Sequence, residues 1–152
     1  MKKLVFILCS VVCTAQTNQY MKVILSKKTG KEVRSYSEGY GTAYDPGSKK
    51  QGIIDSLGNI TFESPGRSVF HIFKNRFILD SEEGSSRKSA VIDEKGNEII
   101  PLDHQEFNTP WWSRERIISS KQSTEAVFDF NGNQIIPYSE KIRFSGKNRF
   151  LF

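Results

Sequence analysis

Past position 13 this chain has no cysteine. Cys9 and Cys13 both fall in the first fifteen residues. If that segment is removed, disulfides, thiolate metal sites and cysteine nucleophiles go with it, and stability must come from burial and hydrogen bonding. Histidine is almost as scarce. His71 in VFHIF and His104 in LDHQEF lie far apart with no second ligand at metal spacing. They are expected to be a strand residue and a loop residue, not a zinc pair. No apolar run approaches the roughly 20 residues that span a bilayer. Also missing are a Gly-x-Ser-x-Gly elbow, a phosphate-cradling loop and a His-Glu-x-x-His helix. Strong charge is lacking too. The net charge is +5, and Lys and Arg are scattered among Asp and Glu. A nucleic-acid surface needs basic residues gathered on one face, so nucleic acid is not an expected partner.

The first residues, MKKLVFILCSVVCTAQ, have a defined order. Two lysines precede an apolar stretch from Leu4 to Cys13, and Cys13-Thr14-Ala15 follows. Basic, apolar and then small residues in that order make a secretory signal over residues 1–15, cut after Ala15. The alternatives are an uncleaved anchor or a buried first strand. Lipid attachment fits poorly, because Cys13 follows Val12 and Cys9 follows Leu8 instead of a small residue. Taking Lys2 and Lys3 from the 22 Lys and Arg leaves 20 against 17 Asp and Glu, a net +3. The expected location is outside the cytoplasm, periplasmic or extracellular, with no transmembrane helix in the mature chain.

What the chain does have is a repeat. GIIDSLGNITFE (Gly52 to Glu63), AVIDEKGNEIIP (Ala90 to Pro101) and AVFDFNGNQIIP (Ala126 to Pro137) share Asp-x-x-Gly-Asn after an apolar run. Their glycines, Gly58, Gly96 and Gly132, are 38 and 36 residues apart. Between them recurs an arginine followed by apolar residues, at Asn75 to Leu79, Glu115 to Ile118 and Asn148 to Phe152. Short apolar runs bounded by Gly, Asn, Ser and Pro are the strand signature, and helical periodicity is absent over any useful window. Each unit reads as strand, variable loop, strand, tight turn, strand. The expected fold class is all-β, with repeated antiparallel hairpin or meander units of about 36–40 residues, forming a partial propeller or a stacked β-array. Residues 50–152 hold three units, the last apparently incomplete at Phe152. Residues 16–49 hold a degenerate front copy (Val23 to Val33) and a loop. Ser35 to Gly52, rich in Gly, Ser and Tyr, reads as a long loop with a ragged strand. Pro101 and Pro137 are expected to close strands.

The motif explains itself as a turn. Asp55, Asp93 and Asp129 would cap type I turns with their carboxylates. Gly58, Gly96 and Gly132 would take the left-handed conformation that closes the bulge. The residues between vary from Ser-Leu to Glu-Lys to Phe-Asn, which a turn tolerates and a ligand site usually would not. Val91, Ile92, Ile99, Ile100, Val127, Phe128, Ile135 and Ile136 lie in the core-forming strands. Glu94, Lys95 and Glu98 sit near solvent.

These residues resemble the WG β-repeat family, whose units run Trp-Gly-x-Ile-Asp-x-x-Gly-x-x-Ile-Ile-Pro-x-x-Tyr. Gln51-Gly52-Ile53-Ile54-Asp55 stands at the first half of one unit. Ala90-Val91-Ile92-Asp93 and Ala126-Val127-Phe128-Asp129 keep the apolar-Asp step without Trp and Gly. Gly96, Ile99, Ile100 and Pro101, and Gly132, Ile135, Ile136, Pro137 and Tyr138, match the later half, followed by Phe144-Ser145-Gly146. The resemblance covers about residues 50–152 and implies an exported bacterial repeat protein with a binding or scaffolding surface. It lends no defined activity.

Three kinds of chemistry compete for the remaining residues. Asp129, Asn131, Asn133 and Glu140 have calcium-loop spacing, but Gln134 stands where the sharp turn needs glycine, Pro137 lies inside, and Leu57 and Lys95 replace the third-position oxygen in the other copies. A hydrolase acting on cell-wall or external polymers would need two convergent carboxylates, which sequence alone neither supplies nor removes. The sharpest binding signal is TPWWSRER. Trp111 and Trp112, the only tryptophans, stand beside Arg114 and Arg116. On a strand one indole would face the core and the other solvent, a suitable contact for protein or carbohydrate. The expectation is a non-catalytic binding or scaffolding module at the bacterial cell envelope, with no metal and no cofactor. The two alternatives are the hydrolase and a calcium-stabilised adhesive module.

Overall fold

A computed structural model describes residues 2–64, 66–83, 86–103, 106–108, 116–139, 142–144 and 150–151. Its side chains are described over 16–64, 66–81, 88–103, 106–107, 116–139 and at 142. The chain opens with one helix, α1 (Lys2–Thr29), and continues in strands. β1 (Glu32–Ser37), β2 (Tyr40–Asp45), β3 (Lys50–Asp55) and β4 (Ile60–Ser64) form the first sheet. β5 (Ser68–Phe73), β6 (Arg76–Glu83), β7 (Ser86–Ile92) and β8 (Glu98–Asp103) form the second. β9 (Glu106–Asn108), β10 (Arg116–Lys121), β11 (Thr124–Asp129) and β12 (Gln134–Ser139) form the third. β13 (Arg143–Phe144) and β14 (Phe150–Leu151) pair as a further two-stranded ladder. Each four-stranded sheet is an antiparallel meander in chain order, open at both edges. The all-β repeat expected from the sequence is therefore present, with four strands to a full unit.

The apolar pair before each motif aspartate is explained by stacking. Adjacent strand residues point to opposite faces, and here both faces are covered. Ile53 of β3 joins Val69, Phe77, Leu79, Ala90 and Ile92 of the second sheet in one buried cluster. Its neighbour Ile54 faces the other way, onto Leu25 of α1 with Val33 and Ala43. In the second unit Ile92 faces the first sheet, while Val91 packs with Ile100 and Ile117 against the third. Phe128 packs toward the second sheet, and Val127 clusters with Ile136 and Ile142 on the far side. Ile53, Ile54, Val91, Ile92 and Val127 are all fully buried. Each contributes roughly 1.5–3 kcal/mol of transfer free energy. A strand buried on both faces reads as a continuous apolar run, not an alternation, which is why the motif carries two apolar residues in a row.

Four details differ from the sequence reading. Val23 to Thr29 are not a front copy of the repeat but the last turns of α1. Lys27 and Lys28 lie at its negative end, and Gly30 stops it at φ +70° with its N–H donating to the Ser26 carbonyl at 3.0 Å. Its contact with the sheet is narrow: Met21 and Leu25, one turn apart, cover Val33, Ala43 and Ile54. Ser35 to Gly52 is not a long loop. It holds β2 whole, with the end of β1 and the start of β3, and two of its glycines mark close backbone approach: a Cβ on Gly41 would strike the Ser35 carbonyl, and one on Gly52 would lie 2.6 Å from the Phe62 carbonyl oxygen. Pro101 and Pro137 lie inside β8 and β12, which are edge strands, at positions with no cross-strand partner in the register. Ile135, read as core, is 43% exposed. Its counterpart Ile99 is half-buried, with the next turn, at Gly132, seated on it.

Among the described residues no helix is long and apolar enough to cross a membrane.

Candidate functional site

The three Asp-x-x-Gly-Asn segments have one geometry. In each, the glycine N–H donates to the aspartate carbonyl at 3.1 Å, and the aspartate N–H donates to the asparagine carbonyl at 2.9–3.0 Å. The glycines stand at φ +86°, +85° and +83°. One carboxylate oxygen of Asp93 accepts the N–H groups of Lys95 (2.8 Å) and Asn97 (2.9 Å), and the other accepts the Asn97 side-chain amide at 2.8 Å. Asp55 is held in the same way by Leu57 and Asn59, and Asp129 by Asn131 and Asn133. Burial pushes each of these carboxyls up, but the asparagine amide and the backbone donors outweigh it and leave all three below the usual range. The carboxylates meet N–H donors, not the ring of oxygens a calcium ion requires. Glu140, the twelfth position of that loop, lies outside the described residues, as does His104. Among the described residues no three His, Cys, Asp or Glu side chains gather in a metal-binding group.

The turns also join the units. A Cβ on Gly96 would collide with the Phe62 ring of β4, and one on Gly132 with the Ile99 carbonyl of β8. Gly58 seats instead on α1, beside Leu25 and Lys28, where the Lys28 ammonium donates to the Leu57 carbonyl. The helix thus takes the place of a preceding sheet.

The recurring arginine belongs to the same construction. Arg116 is the cross-strand partner of Asp129, and its charge helps lower that carboxyl. Arg76 lowers Asp93 in the same way. The equivalent place opposite Asp55 is taken by Tyr40, whose ring meets Phe77 of the next sheet edge-on, with centroids 6.3 Å apart.

Between the second and third units these parts enclose a cleft of about 410 Å³. One wall is the β5–β6 hairpin, with Phe73, Lys74, Asn75 and Arg76. The other is the β11–β12 turn, with Asp129, Phe130 and Asn131, and Arg116 lies between them. Arg76 is fixed across the gap: its Nε donates to the Phe130 carbonyl at 2.7 Å and one Nη to the Asn75 carbonyl at 3.3 Å. The rings of Phe73 and Phe130 meet at 5.5 Å and 53°. The Lys74 ammonium stands 5.2 Å from the centre of the Phe73 ring. Asn75 donates its side-chain amide to Glu94 at 2.8 Å.

Of the four residues expected to bind, Arg116 lines this cleft, while Trp111, Trp112 and Arg114 lie outside the described residues. Lys74, Arg76, Phe73 and Phe130 escaped the sequence reading as site residues. The recurring Arg-apolar step contains Arg76, but it reads there as a strand start, and nothing local says that the chain brings Phe130 to it. His71 is a strand residue, as expected. Its Nε2 donates to the Lys74 carbonyl at 2.6 Å and its Nδ1 accepts from the Ser37 hydroxyl at 3.0 Å, and burial lowers its pKa.

A second cavity, of about 270 Å³, is lined by Phe70, Ile78, Asp80, Ser89, Glu106 and Phe107. Ser89 donates to Asp80 there at 2.5 Å.

No family model matches the chain, and neither a curated protein nor a solved structure matches it.

Proposed function

We propose that this chain is an exported repeat protein that works by binding or scaffolding at the bacterial cell envelope and not by catalysis. The observation that carries the reading is the cleft between the second and third units. It is a concave site at a junction of repeats, lined among the described residues by cations, amides and aromatic rings and by the Asp129 carboxylate, which its own turn already engages. The order of charge, apolar residues and small residues at the front supports export, with a mature start at Gln16. The resemblance of the motifs to WG β-repeats supports the same role. The partner is a protein or a carbohydrate of the envelope.

The test is direct. A tagged full-length chain is expressed in a Gram-negative host, and the N-terminus of the recovered protein is sequenced. The mature protein is then sedimented with purified cell-wall and outer-membrane preparations. Processing to Gln16 and saturable co-sedimentation are expected. A chain that keeps Met1 in the cytoplasm, or that stays in the supernatant at all concentrations, rules the reading out.

A second reading, a secreted hydrolase, draws on one observation. Asp80 and Glu106 line the same cavity, and glycoside hydrolysis needs two carboxylates facing a substrate bond. Release of reducing ends from an envelope polysaccharide, lost in Asp80→Asn and Glu106→Gln, would favour it over the binding reading.

A further inference from the structure

The geometry points to a ligand class for the cleft between the second and third units: a carboxylate-bearing sugar, such as a uronic acid residue of an acidic polysaccharide. The inference rests on the binding reading above and specifies the chemistry of its site.

The charge selects an acid. Among the described residues Lys74, Arg76 and Arg116 line the cleft itself against one carboxylate, Asp129, while Glu94 and Glu38 outside the lining accept from the Asn75 amide and the Lys74 N–H. Both Asp129 oxygens already accept from Asn131 and Asn133. Arg76 is held in place by Phe130 and Asn75 through two bonds to carbonyl oxygens. A guanidinium carries five N–H donors in a fixed fork, and an oriented fork matches a carboxylate bidentately. Holding the group beforehand reduces the ordering cost of binding.

The remaining lining selects a sugar over a bare anion or a peptide. Phe73 and Phe130 form a tilted aromatic pair at the wall, on which the C–H face of a pyranose can lie. Asn131 brings an amide group suited to hydroxyls, and Asn75, whose amide nitrogen donates to Glu94, adds its side-chain carbonyl as an acceptor. A bare anion would need neither. A peptide acid usually adds its backbone to an open strand edge. This cleft is lined by strand ends and turn tips, not by the length of an edge strand. Its volume, about 410 Å³, is at the small end of ligand sites and suits one or two sugar rings.

The experiment is isothermal titration of the full mature chain with a galacturonate oligomer. The controls are the neutral galactose oligomer of equal length, a poly-glutamate peptide and inorganic phosphate. Saturable binding of the galacturonate oligomer alone is expected, weakening as salt is raised. Arg116→Gln should weaken it about tenfold or more, the scale of losing a charge-assisted pair. Because Arg116 faces Asp129 in the ladder, Arg116→Gln is used only if it melts as wild type does. Lys74→Gln, at an exposed hairpin tip, is the second variant and should weaken binding several-fold. No binding of the galacturonate oligomer, equal binding by both variants, or equal affinity for poly-glutamate, phosphate or the neutral sugar overturns the assignment. Envelope co-sedimentation with failed galacturonate binding would remove the ligand class and leave the binding reading standing. Galacturonate binding without co-sedimentation would do the reverse.

Discussion

At the scale of single residues the chain spends its repeated aspartate on geometry. Asp93 satisfies two backbone N–H groups and one side-chain amide, so Asp93→Ala strands three donors. Those donors are near water and can be rehydrated, which places the expected loss at about 1–2 kcal/mol, read as a shift of the urea midpoint at constant m. Asp93→Asn keeps the shape, loses the charge, and should cost less. The same residues set an acid limit. Asp55, Asp93 and Asp129 have carboxyls lowered in the fold, and the Lys31 ammonium with local hydrogen bonds holds Asp45 at about 2. A carboxyl lowered on folding stabilises fully above its unfolded pKa, about 3.9, and loses that contribution as pH falls through the folded value. Thermal midpoints should therefore fall as pH drops below about 4, and the fall should be shallower in Asp93→Asn. Calcium at about 10 mM, well above the affinity of weak extracellular sites, should leave the midpoint at neutral pH unmoved.

At the scale of elements the turn both ends one hairpin and seats the next sheet. Gly39 and Gly96 have nearly the same φ, +89° and +85°, but different surroundings. A Cβ on Gly39 meets nothing within 4 Å, whereas one on Gly96 strikes the Phe62 ring. Alanine at either site carries the left-handed penalty of about 1–2 kcal/mol. Gly96→Ala should add about 1–3 kcal/mol of overpacking. Parallel denaturation of the two variants isolates the packing component, and equal losses would mean that the turn does not bear on the neighbouring unit. The turn itself is legible in sequence because its cause is local: an acceptor at Asp, a left-handed glycine, and an amide at Asn. The seat beneath it is not, because Phe62 and Ile99 belong to other units, and their distance from Gly96 and Gly132 is decided by stacking.

At the scale of the whole molecule the open question for any sheet stack is how its ends are covered, since a repeat array buries its faces only against neighbours. Here α1 covers the first sheet through Met21 and Leu25 over Val33, Ala43 and Ile54. Met21 and Leu25 both lie after Gln16, so the cap is expected to survive removal of residues 1–15. A chain beginning at Lys31 would expose that apolar face. It should melt several degrees lower than one beginning at Gln16 and form oligomers at micromolar concentration, measured by calorimetry and light scattering. A monomer of unchanged midpoint would show that the helix is dispensable.

The sequence alone determined the strand class, the period, the hairpin turns and the paired apolar residues Ile53-Ile54, Val91-Ile92 and Val127-Phe128. Each follows from chemistry within a few neighbouring residues. Tertiary structure decided what depends on distant partners. It made Val23 to Thr29 a cap instead of a strand, because a helix stripe of Met21 and Leu25 fits the outer face of the first sheet. It left Ile135 exposed and its counterpart Ile99 half-buried, with the turn at Gly132 seated on Ile99. It also built the cleft, joining Arg76 to the carbonyl of Phe130 across 54 positions of chain, a juxtaposition that exists only once two sheets have stacked.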